Sequence, residues 1–94
     1  MNKKLQKLLR KGQVWFDIPN ENKKRFLAFA KHNGCRWING EQIYPESDIC
    51  SNHMAITENL EIGYVSAMCW CAKSKNKPHI EKFEVVNHNI DLSL

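Results

Sequence analysis

The chain has 94 residues, 43% of them hydrophobic, which supports one domain with a modest core and argues against a second. Its formal charge of +4 is uneven: residues 1–36 hold ten Lys/Arg against Asp17 and Glu21, a balance of +8, whereas residues 37–94 hold four against eight acids, a balance of −4, so the N-terminal third suits an anionic partner. No apolar run approaches the ~20 residues of a membrane span and the basic start lacks the apolar core of a signal peptide, so a cytoplasmic chain with reduced cysteines and no membrane partner is expected.

Met1 to Lys11 places Leu5, Leu8 and Leu9 on one side of a short helix, with Lys3, Lys4, Lys7, Arg10 and Lys11 around the rest and Gly12 closing it. Three leucines are too little apolar surface to hold so short a helix alone, so it must dock on its own domain, a second copy or a partner. Val14 to Ile18 alternates, with Val14, Phe16 and Ile18 on one side, and reads as a first strand ended by Pro19. Asn20 is the expected N-cap of a central helix in which Phe26, Leu27, Phe29 and Ala30 face the core and Lys23, Lys24, Arg25 and Lys31 lie on the flanks and back. Gly34 falls where a helix ends in a left-handed residue.

Asn39-Gly40 predicts a two-residue type I′ hairpin turn. That loop sets Trp37 across from Gln42 and Cys35 across from Tyr44 as the inward side, with Arg36, Ile38, Glu41 and Ile43 on the other. Pro45 to Asn52 is polar enough for a surface loop. Two strands follow, His53 to Thr57 and Glu61 to about Cys71. A three-residue loop of Glu58, Asn59 and Leu60 pairs Ile56 with Ile62 and Met54 with Tyr64, all on one face, whereas a two-residue loop would oppose Ile56 to Glu61. Over residues 65–72 a helix would gather Val65, Met68, Cys69 and Ala72, but the alternation running on from Ile62 through Trp70 favours a strand. Ser74 to Pro78 reads as a turn, Ile80 to Val86 as a last strand with Phe83 and Val85 on one side, and Asn87 to Leu94 as a loosely held tail.

The expected architecture is one α+β domain over residues 1–94: an antiparallel sheet of about four to five strands, one face covered by the central helix, with the short basic N-terminal helix in addition. The strand with Phe16 and Ile18, the helix with Phe26-Leu27, the run Gly34-x-x-Trp37-x-x-Gly40 and the later short strands resemble small accessory proteins of phages and mobile elements, chiefly over residues 14–44. That resemblance implies binding without catalysis, including inhibition of host defence systems such as CRISPR effectors, and carries over no functional residue.

Residue chemistry offers several candidate sites. His32-x2-Cys35, Cys50-x2-His53 and Cys69-x-Cys71, with His79 beyond, offer zinc ligand types, but none is the Cys-x2-Cys knuckle, so bare thiols and no cofactor are expected. His53 near Cys50, or His79 beyond Cys71, could be drawn as base and nucleophile, yet a domain this small seldom builds the required pocket, and no enzyme is expected. The glycines at 12, 34, 40 and 63 stand singly and form no phosphate loop. The leading expectation is a protein-binding module, open to homodimer formation, using the stripe Leu5, Leu8 and Leu9 or a free sheet edge. The alternative is a nucleic-acid-binding accessory or regulatory protein contacting phosphates through Lys3, Lys4, Lys7, Arg10, Lys11, Lys23, Lys24 and Arg25, with exposed Trp15 or Trp37 stacking on bases.

Overall fold

A computed structural model describes residues 2–74, 80–86 and 89–93. Its elements in chain order are α1 (Lys3–Leu9), β1 (Val14–Asp17), a 3-10 turn (Asn20–Asn22), α2 (Lys23–His32), β2 (Arg36–Trp37), β3 (His53–Ile56), β4 (Glu61–Tyr64), α3 (Ala67–Ser74), β5 (Ile80–Val86) and β6 (Asn89–Ser93). The α+β class holds, but the sheet is six-stranded and mixed, in the order β2-β4-β3-β1-β5-β6. The pairs β1/β3, β3/β4 and β5/β6 are antiparallel, while β1/β5 and β2/β4 are parallel.

The parallel pairs correct the purely antiparallel expectation, and they follow from two crossovers. Parallel strands cannot be joined by a tight turn and need a connection long enough to return along the sheet. From β1 the chain returns through α2 to β2, and from β4 it passes α3 before β5. The two crossovers run in opposite directions on opposite faces, so they share one hand. This is also why residues 67–74 form a helix and correct the predicted strand: β4 stops at Tyr64, and Trp70 lies across Trp15 with ring centroids 5.6 Å apart. Met68, expected on the same strand face as Ile62 and Tyr64, is on this helix and 82% exposed.

The inner face holds the main core. Val14, Phe16 and Ile18, Met54 and Ile56, Ile62 and Phe83 meet Phe26, Leu27, Phe29 and Ala30 of α2, as their spacing requires, together with Leu5 and Leu9 of α1. Four phenylalanines are its centre, Phe83 lying 5.3 Å from both Phe26 and Phe29 and 6.4 Å from Phe16. The outer face carries a smaller cluster of Trp15, Ala55 and Val65 with Trp70 and Ile80. Trp15 is thus buried, correcting its assignment as an exposed stacking residue.

Local expectations hold in part. Gly34 (φ 84°) ends α2: its amide donates to the Lys31 carbonyl and that of Cys35 to the Ala30 carbonyl, a Schellman closure. Asn20 is not the N-cap, because the 3-10 turn comes first and its Oδ1 accepts instead from Asn52 Nδ2 at 2.8 Å. Asn39-Gly40 does reverse the chain, but only Gly40 has positive φ (88°), and Trp37 N–H donates to the Glu41 carbonyl at 2.9 Å. This is a three-residue loop in place of the expected type I′ turn. The extra residue flips the following side chains, so Ile43 is buried while Gln42 and Tyr44 are exposed, and no strand follows. The turn between β3 and β4 is built alike, with Leu60 (φ 60°) at the left-handed position.

The predicted register of Ile56 with Ile62 and Met54 with Tyr64 is observed. Tyr64 lies at the end of that row, half exposed, 5.5 Å from the half-buried Trp37 ring. The tail expected to be loose contributes β6, which pairs Leu92 with Phe83 and Ile90 with Val85. The turn foreseen from Ser74 to Pro78 lies outside the described residues beyond Ser74, the last residue of α3.

Candidate functional site

The basic residues singled out in the sequence lie on the two helices that pack on the inner core. α1 and α2 both bury their apolar sides in the inner core, which leaves Lys3, Lys4, Lys7, Arg10, Lys11, Lys24 and Arg25 exposed and Lys23 half-buried. The two helices are tied end to end by Asn33: its Oδ1 accepts from the Asn2 amide at 2.6 Å and its Nδ2 donates to the Phe29 carbonyl at 2.7 Å. Asn2 also caps α1, its Oδ1 accepting from Leu5 N–H at 2.9 Å. Lys3 and Lys4 therefore start α1 close to the end of α2, whereas Lys24 and Arg25 lie in the first turn of α2 and Lys7 and Arg10 at the end of α1.

The leucine stripe is spent in the same packing. Leu5 is fully buried, Leu9 is 8% exposed and Leu8 packs partly on the core, which corrects their assignment as a partner-binding stripe. The domain itself supplies the apolar surface that α1 lacked.

A second surface was not foreseen. α3 covers the outer face over β1 and β3 through Trp70, which stacks on Trp15 and on the His53 ring at 3.9 Å, but leaves the β2-β4 side bare. There a groove of about 210 Å³ runs past Ile38, Gly63, Ala55 and Trp15, with Val65 and Ser66 at the start of α3 as its other wall. Its floor is bare because Gly63 and Ala55 offer almost no side chain, and a Cβ on Gly63 would lie 3.9 Å from an Ile38 methyl. Ile38 is 65% exposed, and Tyr64 and Met68 stand exposed nearby in sequence. The one signal in the sequence is parity, which puts Ile38 on the outward side of the hairpin, but nothing local shows that Gly63 and Ala55 lie beside it.

Compared with known proteins, the chain matches no family model, no curated protein and no solved structure. The site therefore stands on geometry alone.

The remaining candidates are not brought together. Cys35 is buried and Cys50 and Cys71 are exposed, none of the three in a disulfide, and no three His, Cys, Asp or Glu side chains converge among the described residues. His79 lies outside the described residues, as does the side chain of Cys69. Among the described residues no helix is long and apolar enough to cross a membrane. Open notches of about 450 and 380 Å³ flank Arg36 below the Gly34 and Gly40 backbones, with Lys31 toward one and Glu61 toward the other, so they present no single sign of charge.

Burial pushes the Cys35 thiol from its ordinary 9.0 to about 11. The folded chain thus keeps this proton after the unfolded chain has lost it. Stability contributed by the neutral thiol is complete below pH 9 and falls between about pH 9 and 11, by about 1.4 kcal/mol per pH unit at most. A thiol reagent at neutral pH is expected to modify Cys50 and Cys71 quickly and Cys35 only on unfolding. Mass-spectrometric mapping checks this, and early labelling of Cys35 would contradict its burial.

Proposed function

We propose that this chain is a small non-enzymatic protein-binding module that seats an apolar side chain of its partner in the outer-face groove. The observation carrying this reading is Ile38, 65% exposed beside the bare Gly63-Ala55 floor, whereas most other large aliphatics among the described residues are buried or half-buried. An exposed apolar groove rimmed by polar groups, here Gln13, Thr57 and Ser66, is how protein contact sites commonly look. The resemblance to accessory proteins of phages and mobile elements directs the search for the partner first to host defence proteins, among them CRISPR effectors.

The test is affinity capture from nuclease-treated host extract, followed by titration with the purified partner. Ile38→Asp puts a charge in the contact, and Gly63→Val fills the floor without disturbing the inner core. Each is expected to weaken binding by about 30-fold, as the loss of a central apolar anchor does. A partner whose affinity ignores both substitutions would sink the assignment to this groove.

A further inference from the structure

We infer that the solvent face of the helical layer binds the phosphate backbone of a nucleic-acid duplex. The inference is independent of the groove, which lies on the opposite side of the sheet. It begins with the separation of charge by layer. α1, the 3-10 turn and α2 together carry Glu21 as their one acid; Asp17 and Glu61 alternate with core residues and so point to the outer face, and Glu81, opposite Phe16 on the inner face, is buried beneath the helices. Among the described residues none of Lys3, Lys7, Arg10, Lys24 and Arg25 is held by an ion pair or a side-chain hydrogen bond. Unpaired cations on a rigid layer are what counterion release rewards, since each phosphate neutralised frees condensed salt.

Two further observations narrow the ligand. The Asn33 bridge fixes the start of α1 beside the end of α2, so the cations of both helices are carried on one layer of a molecule 31 × 26 × 25 Å in extent. At that size it spans roughly seven base pairs and about four to six phosphates on one side of a duplex. Binding of single strands adds aromatic platforms for unstacked bases. Here Trp15 is buried on the far face and Trp37 is packed against Tyr64, so no tryptophan stands among these cations. The surface suits backbone contact without base reading.

Fluorescence anisotropy with a labelled 20-bp duplex, the matching single strand and an acidic polypeptide tests this. The duplex dissociation constant is expected to rise by about 10²- to 10³-fold between 50 and 200 mM NaCl. Lys7→Glu with Arg10→Glu, and separately Lys24→Glu with Arg25→Glu, should each weaken binding at least about tenfold and lower the salt slope by about two. The glutamine versions of both pairs should act in the same direction, while Ile38→Asp should leave duplex binding unchanged, so this inference and the groove reading can fail separately. Circular dichroism confirms that the variants are folded. No binding at 50 mM NaCl, indifference to both charge-reversed pairs, tighter binding of the single strand, or equal binding of the acidic polypeptide would each overturn the inference.

Discussion

Phe83→Ala is expected to lower the unfolding free energy by about 3–5 kcal/mol, enough to leave a domain of ordinary stability marginal. Phe83 is fully buried, and its ring meets Phe16, Phe26 and Phe29 within one cluster that joins β5, β1 and α2. Truncation removes the burial and leaves a void that a close-packed interior fills poorly. The edge-on contacts to Phe16 and Phe26 add to the loss, since such aromatic pairs contribute about 0.5–1.5 kcal/mol beyond area. Phe83→Leu keeps most of the volume and should cost under about 1.5 kcal/mol. Urea unfolding followed by tryptophan fluorescence measures both. A Phe83→Ala loss below about 1.5 kcal/mol would show that β5 is not anchored as described.

Asn33→Asp is expected to destabilise by about 2–4 kcal/mol, although it changes no shape. Asn33 is buried and uses both ends of its amide, accepting from Asn2 N–H and donating to the Phe29 carbonyl. A carboxylate keeps the acceptor but sets a charged oxygen against that carbonyl, at the negative end of the α2 dipole. Asn33→Ala abolishes both bonds without adding a charge and should cost about 1–3 kcal/mol. Hydrogen exchange separates local from global effects: α1 should lose protection first, because Asn2 is both its cap and its tie to α2. Equal protection of α1 in the Asn33→Ala variant and the parent chain would mean that leucine packing alone holds the helix.

Local rules carried a good part of the fold. The apolar spacing of Phe26, Leu27, Phe29 and Ala30, the stop at Gly34 and the register of Ile56 with Ile62 needed only side-chain periodicity and turn chemistry. The Asn39-Gly40 reversal was legible, but its loop length was not. Whether the loop has two or three residues decides whether Ile43 or Tyr44 reaches the core, and it is Ile43 that is buried there while Tyr44 is exposed.

The basic candidate residues were legible as well, since charge is a property of composition. Their gathering into one layer was not, and neither was the groove. Trp15 is covered by Trp70, which is distant along the chain, and β1 pairs in parallel with the still later β5. Such contacts join segments whose local patterns are compatible with several partners, so residues 65–72 could fit a strand or a helix until the crossover demanded a helix. By itself the sequence determined the strand and helix periodicities, the helix stop and the uneven charge, because these act over a few neighbouring residues. Tertiary structure decided the parallel pairings, the burial of Leu5 and Leu9 and the bare Ile38-Gly63 floor, because each depends on which distant surface arrives to cover it.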